Sequence, residues 1–481
     1  MRTDCDWKRQ LGVAAVGATL LLLVAGCNVG PKYKRPVVAP PDAFRGADDA
    51  AVQSNAAASL GDQKWPEVFR EPELQALINE ALTNNFDVRI AAQRILEQEA
   101  QVRITRSAEF PQISVGGTGA GVEYPSSFGG SSSSSSSSIA DPLVVGAFNL
   151  SATWTPDFWG LYKKQTAQQR ALLLNQQWAQ RAVRVTLVQQ IASAYLQVRA
   201  LDRELEITKQ TVKAREESVK LTKTLSDGGS APLSDLRQAE QLLYTATAQI
   251  PILEQNIQQQ ENAISLLVGR NPGKVTHIDE SALTPPPQDL PVGLPSQLLE
   301  RRPDIQQVEA QLIAANAAIG VARAQFFPQL SISASAGVGG DSFPNIFSTG
   351  SKTIYGIGQL AQPIFTGGKL RGQLELSKDQ EQELVVNYQK TIAGALRDVS
   401  NALIASNKQR ATRVEQEKLV AAAQDASRLA RMRYQGGATG YLEVLTVDTN
   451  LYSAQLNLAT AQGNEALTLV QLYAALGGGW Q

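Results

Sequence analysis
Residues 161–227 read LYKKQTAQQRALLLNQQWAQRAVRVTLVQQIASAYLQVRALDRELEITKQTVKAREESVKLTKTLSD, without a single glycine or proline. At 1.5 Å per residue such a stretch makes a helix of ~100 Å, longer than a compact domain of this size can hold inside itself. Leu187, Ile191, Ala194, Val198, Leu201, Leu205, Thr208 and Val212 alternate four and three apart, which is the seam of a coiled coil. The partner follows in the sequence. Leu236, Leu243, Ile250, Ile257 and Ile264 lie seven apart, with Ala239, Ala246, Leu253 and Leu267 three further on. Between the two runs stands Asp227-Gly228-Gly229-Ser230-Ala231-Pro232, with glycine to stop one helix and proline to start the next. The pattern predicts an antiparallel helical hairpin whose return arm, about Leu233 to Val268, is kinked at Pro251.

The plan occurs twice. Phe110-Pro111-Gln112-Ile113-Ser114-Val115 returns as Phe327-Pro328-Gln329-Leu330-Ser331-Ile332, and Pro156-Asp157-Phe158-Trp159-Gly160 faces Pro363-Ile364-Phe365-Thr366-Gly367. Gly228-Gly229-Ser230 faces Gly436-Gly437-Ala438, and Val268-Gly269 faces Leu476-Gly477. Four correspondences in one order mark an internal duplication. The extra length of the first copy falls where Ser131 to Ser138 form a serine tract, which reads as a solvated insertion. A second long helix is expected over Lys369 to Tyr434, turning at Gln435-Gly436-Gly437-Ala438-Thr439-Gly440. Each return helix is only about half as long as its rod. The medium helices Asp87 to Glu109 and Asp304 to Phe326 have the length to complete the cover if stacked end to end with the return helices.

Between the helices lie period-two segments. Leu330, Ile332, Ala334, Ala336 and Val338 alternate with Ser331, Ser333, Ser335 and Gly337; Leu150, Ala152 and Trp154 alternate with Ser151, Thr153 and Thr155. One apolar and one small polar face over about ten residues is the pattern of a membrane β-strand, and of a half-buried soluble hairpin. No apolar run in the remainder of the chain after the N-terminal segment has the ~18 residues of a spanning helix, so a membrane crossing would have to be closed β-structure. Four strands cannot close a barrel alone, which calls for an oligomer. Trp154, Phe158, Trp159 and Tyr162 sit where strand meets long helix, either as an interfacial aromatic girdle or as core at the junction.

Composition removes several function classes. The one histidine, His277, and two cysteines, Cys5 and Cys27, cannot build a Cys/His zinc cluster or a disulfide framework. His277 lies among linker prolines with no Ser or Asp motif around it, and no Walker-type loop is present, so no enzyme, cofactor or metal is expected. A formal charge of −1 without a basic run offers nucleic acid nothing. At the N-terminus Arg2, Lys8 and Arg9 precede an apolar stretch from Leu11 to Ala25, an export signal in form. Ala25-Gly26-Cys27 then resembles the bacterial lipoprotein box. It implies cleavage after residue 26, acylation of Cys27 and, because Asn28 rather than Asp follows, sorting to the outer membrane.

These residues together resemble the TolC-like outer-membrane efflux lipoproteins, the OprM/NodT group. Cys27-Asn28-Val29-Gly30-Pro31-Lys32-Tyr33-Lys34-Arg35-Pro36 is similar to that family's lipidated start. Leu299-Glu300-Arg301-Arg302-Pro303-Asp304-Ile305 is similar to its second-copy helix opening, and Arg433-Tyr434 with Gly437 and Tyr441-Leu442-Glu443-Val444-Leu445 to its second tip turn. The resemblance implies a mainly α chain with a small β part: long helical hairpins forming an α-barrel in a homotrimer, and four strands per subunit toward a twelve-strand barrel in the outer membrane. It implies a passive conduit for drugs or other small toxic compounds, served by a periplasmic adaptor (membrane fusion) protein and an inner-membrane pump of the resistance-nodulation-division type.

The resemblance also assigns sites. The hairpin tips would form the periplasmic gate, with Asp235, Tyr434 and Glu443 at the matching positions, and Gly228, Gly229, Gly436 and Gly437 in the tip turns that meet the adaptor. Thr439 stands where the best-known relatives have an arginine that ties the tip shut, and Thr446 where they have a second acid, so the closed state is expected to lean on helix packing more than on ion pairs. Asp235 and Glu443 are also plain helix-start acids, which favour the dipole. The expected organisation is a signal at 1–26, an extended anchor segment at 27–71, a first repeat at 72–270, a linker at 271–293 and a second repeat at 294–477. Within the repeats, strands are expected at about 112–124, 147–157, 329–339 and 353–366, and hairpins at about 159–269 and 367–476. The rival readings are a type I protein-secretion duct within the same fold and, from another class, a lipid-anchored coiled-coil scaffold.

Overall fold
The computed structural model describes residues 29–46, 59–122, 143–276, 285–287, 291–340 and 348–480. Cys27, His277 and the serine tract lie outside the described residues. After two single helical turns, Leu60–Asp62 and Trp65–Val68, the elements run α1 (Pro72–Asn84), α2 (Phe86–Ser107), β1 (Gln112–Val122), β2 (Leu143–Trp154), α3 (Leu161–Asp227) and α4 (Leu233–Val268). The second copy repeats the order with α5 (Pro295–Arg301), α6 (Pro303–Ala324), β3 (Gln329–Gly340), β4 (Lys352–Ala361), α7 (Lys369–Gln435) and α8 (Tyr441–Ala475).

Two compact units can be described separately. The first comprises residues 1–35, 96–174 and 310–385 and contains one antiparallel sheet in the order β1-β2-β3-β4. Each copy supplies one hairpin, and β2 pairs β3 to join them. Register aligns like with like: Val115, Leu150, Ala336 and Ile354 form one row across the four strands, and Ser114, Ser151, Ser335 and Tyr355 the next. Successive side chains point to opposite faces, so one face is apolar and the other mainly small and polar. β2 and β4 stop at Trp154 and Ala361, before Pro156 and Pro363, which cannot donate to a ladder. The aromatic junction divides between its two readings. Trp159 stacks on Phe327 at 4.8 Å and donates its indole N–H to the Pro328 carbonyl at 2.6 Å, which is junction packing. Trp154 remains exposed on the apolar face, its N–H satisfied by the Glu109 carbonyl at 3.2 Å.

The second unit comprises residues 36–95, 175–309 and 386–481. Here α3 and α4 lie side by side and antiparallel, with Arg215 Nη1 donating to the Leu242 carbonyl at 2.5 Å and Lys209 reaching Glu254 at 3.9 Å. The seam is buried on both arms: Leu187, Ile191, Ala194, Val198 and Thr208 on α3, and Leu236, Ala239, Ala246, Leu253, Ile257 and Ile264 on α4. Pro251 lies inside α4, and the helix continues through it.

The end-to-end cover of the rods has a physical joint in each copy. Asn85 donates its Nδ2 to the Leu267 carbonyl at 2.8 Å while its Oδ1 caps α2 by accepting from Asp87 N and Val88 N. Gly269, at φ +83°, leaves no room for a side chain because a Cβ would stand 2.5 Å from the Asn84 oxygen. In the second copy Arg302 does the work of Asn85, donating Nη1 to the Ala475 carbonyl at 3.1 Å and forking onto Asp304 at the start of α6. Alongside the rods, Asn175 Nδ2 donates to the Gln307 carbonyl at 2.9 Å, and in the first unit Gln98 meets Gln169 at 2.8 Å.

Candidate functional site: the hairpin tips and the strand sheet
The tips are built by local chemistry that the two copies share. At the end of α3, Ser230 N bonds back to Leu225 O at 2.8 Å and Gly229 N to Ser226 O at 3.0 Å; at the end of α7, Ala438 N bonds to Arg433 O at 2.8 Å and Gly437 N to Tyr434 O at 3.0 Å. This pair of bonds closes a helix only with a left-handed residue, and Gly229 and Gly437 supply it at φ +70° and +71°. The glycines Gly228 and Gly436 continue the turns.

Glu443 lies in the first turn of α8, where the fold folds it back on its own hairpin. Its Oε1 accepts from Arg433 Nη1 at 2.7 Å, and its Oε2 accepts from the Thr439 hydroxyl. Thr439 thus orients the carboxylate, and Arg433 supplies the positive charge. One turn deeper, Asp448 is 7% exposed and receives a two-pronged contact from Arg431, 2.9 Å at its shortest, together with the Ser427 hydroxyl at 2.6 Å. Within a single chain, therefore, the tip carries two Arg–carboxylate pairs besides its packing. Of the two, only the Asp448 carboxylate is buried, so its hydrogen bonds matter more to the tip than the exposed Arg433–Glu443 pair, which adds little net stability.

Tyr434 packs its ring on Tyr441 at 5.3 Å, within a cluster shared by Val219, Ala239, Ala430 and Val444, so all four long helices meet there. Burial first, and the neighbouring Asp235 carboxylate second, raise the Tyr434 phenol above its ordinary range. Burial, then Asp448, push Tyr441 up to about 12. Both phenols stay protonated at physiological pH. Arg215 is buried beneath them, over the Tyr452 ring at 5.1 Å, and desolvation lowers its pKa. A crevice of 110 Å³ opens among Leu221, Thr222, Arg431, Tyr434, Tyr441 and Val444.

The fold therefore brings Tyr434 beside Asp235, and Glu443 into a separate cluster with Arg433 and Thr439. Arg433 entered the sequence reading only as part of the second tip-turn motif, and Arg431, Ser427 and Asp448 were not singled out, although Arg431 and Arg433 stand at the end of a helix facing acids across a tight turn, which is a legible signal.

The sheet is the other half of the site. Ile113, Val115, Phe148, Leu150, Trp154, Ile354 and Leu360 are all exposed, on the face that their register makes apolar. β1 and β4 have no further strand beside them among the described residues. No helix among the described residues is long and apolar enough to cross a membrane. An apolar face four strands wide is far more than a water-soluble surface leaves open.

The family described as outer membrane efflux protein matches residues 77–270 and 294–478. The chain belongs to that family. It is 33% identical to the probable efflux pump outer membrane protein TtgC of Pseudomonas putida, over 96% of this chain and 95% of that one. It is 31% identical to the cation efflux system protein CusC of Escherichia coli, over 96% and 97%. Among solved structures, a CusC crystal structure superposes with a TM-score of 0.81 at 29% identity, covering 94% of this chain and 99% of that one. The open state of the Neisseria gonorrhoeae MtrE outer membrane channel gives 0.81 at 26%, covering 95% and 99%. This efflux protein is an outer-membrane channel with the TolC-like architecture, mainly helical with one four-stranded antiparallel sheet. A coiled-coil scaffold is set aside, since neither the sheet nor the family fits it.

Proposed function
We propose that three copies of this efflux protein close their sheets edge to edge into a twelve-strand barrel, β1 of one against β4 of the next, and that the long hairpins continue the conduit through the periplasm. The observation that carries the reading is the sheet itself: an exposed apolar face and, among the described residues, two open edges. Open edges with an apolar face are an aggregation hazard in water and a closure device in lipid. The channel is passive, and energy comes from an inner-membrane pump of the resistance-nodulation-division type through a periplasmic adaptor that grips the tip turns at Gly228, Gly229, Gly436 and Gly437. Cys27 is acylated and adds a lipid anchor in the outer membrane; acyl chains contribute about 0.8 kcal/mol per buried methylene.

Asp235, Tyr434 and Glu443 form the gate at the periplasmic end, each becoming a ring of three in the assembly. The cargo is small toxic compounds, including drugs, in keeping with relatives named for antibiotic, toluene and cation efflux. The test is the full-length protein in planar bilayers: heat-modifiable trimers that conduct ions are expected, and monomers without conductance would overturn the reading. Site-specific crosslinking from Gly229 and Gly437 identifies the adaptor. Crosslinks that arise only from the strand end of the molecule would remove the tips from that role.

A further inference from the structure
The ends of the four strands that lead to the helices are surrounded by an excess of positive charge. Within twelve residues of those ends lie Arg103 and Arg106 before β1, Lys163 and Lys164 after β2, Arg323 before β3, and Lys369 and Arg371 after β4. The same windows hold only two acids, Glu109 and Asp157. Both acids are already engaged: Glu109 accepts the Thr166 hydroxyl at 2.5 Å, and Asp157 accepts the Lys163 backbone N–H at 2.8 Å. None of the seven cations forms an ion pair among the described residues, whereas Arg and Lys elsewhere on the helices are repeatedly paired. Arg103, Arg106, Lys163, Lys369 and Arg371 are exposed; Arg106 lies over the Phe110 ring at 5.7 Å. Lys164 is half-buried with its stem along Gly30 and Gly320, which holds it at this level. At the opposite ends of the strands the connecting segments 123–142 and 341–351 contain Glu123, Asp141 and Asp341, against a single cation, Lys352, at the start of β4, so the charge there is net negative.

A charge excess confined to one border of an apolar face has a physical use. Lysine and arginine at the edge of a bilayer reach into the headgroup layer with their apolar stems in the hydrocarbon boundary. Cations that pair with no carboxylate can be completed by water or, at a bilayer border, by lipid phosphates. We propose that this basic collar binds the headgroups of anionic phospholipids in the leaflet on the helical side of the sheet, and thereby fixes the depth and orientation of the barrel. The proposal rests on the reading that the sheet lies in a bilayer.

The experiment uses the full-length protein in phosphatidylcholine vesicles containing brominated phosphatidylglycerol or brominated phosphatidylcholine. Quenching of tryptophan, with Trp154 and Trp159 at this border, reports which lipid sits against the protein. The expected result is an association constant for phosphatidylglycerol above that for phosphatidylcholine, falling as salt is added. Combining Arg103→Gln, Arg106→Gln, Lys163→Gln and Lys369→Gln should bring the ratio down toward one; each cation at a strongly anionic surface contributes about fivefold. A wild-type ratio of one, or a ratio that the combined variant leaves unchanged, overturns the collar. Failure of the wild-type protein to enter vesicles of either composition overturns the membrane reading beneath it, and the two failures are separate observations.

Discussion
Leu150→Lys and Ser151→Lys place the same charge on adjacent residues of β2 and should have opposite fates. Leu150 lies between Val115 and Ala336 on the apolar face, and Ser151 between Ser114 and Ser335 on the polar one. A lysine on the lipid face of a membrane strand costs about 2–4 kcal/mol near the midplane and less toward the borders. Leu150 is inside β2, four residues from its helix-side end, so about 2–3 kcal/mol per chain is expected. In the proposed three-copy barrel the cost multiplies to roughly 6–9 kcal/mol, which is comparable to the whole stability of a typical domain. Ser151→Lys loses the hydroxyl contact between Ser114 and Ser151, 2.8 Å and exposed, worth at most about 1 kcal/mol, and its ammonium projects into water. The assay is the fraction of each variant recovered from outer-membrane fractions as heat-modifiable oligomer. Leu150→Lys should fall below detection while Ser151→Lys assembles near the wild-type level. Equal recovery would refute the assignment of the sheet to lipid, and loss confined to Ser151→Lys would reverse its faces.

The tip supports three further predictions. Because Arg433 compensates Glu443, Arg433→Gln should raise the cation-over-anion permeability and Glu443→Ala should lower it, read as reversal potentials in a salt gradient; shifts of the same sign would show that the two charges do not offset one another. Asp448→Ala removes the acceptor of Ser427 and Arg431, of which Arg431 can turn to water, and should weaken the α7–α8 hairpin locally by about 1–3 kcal/mol, seen as faster amide exchange around Ser427 and Val444 with the strands unaffected. Tyr441 holds its proton to about pH 12, against 10 for an ordinary phenol. The folded state then binds a proton that the unfolded chain has released, so this contribution is intact below pH 10 and is lost as pH rises from 10 to 12. Ultraviolet titration of the phenolates should show a late-titrating group that includes Tyr195 and Tyr473 beside Tyr441, and the loss of one member of it in Tyr441→Phe identifies Tyr441.

Much of the architecture was legible because it is periodic and local. A glycine- and proline-free rod, a seven-residue seam and a glycine turn each rest on contacts between near neighbours in sequence, and α3 begins and ends at the residues where the punctuation changes. Gly229 and Gly437 were readable for the same reason, since a left-handed helix cap has few alternatives to glycine. Strand ends were less so: β2 begins at Leu143 and stops at Trp154, earlier at both ends than alternation alone suggested, because pairing with β1 extends it back to Leu143 and Pro156 terminates it.

The tip illustrates the division most sharply. The sequence by itself determined the duplication, the two hairpins, the turn glycines and which strand residues share a face, since each follows from spacing within one element. Only the tertiary structure decided that Glu443 is already paired with Arg433, that Asp448 rather than Thr446 carries the deeper charge, and that Asn85 and Arg302 serve the same joint in the two copies. Those pairings depend on the phase at which one long helix meets another. A helix of nearly twenty turns presents every side chain at some angle, and packing alone selects the angle that faces a partner.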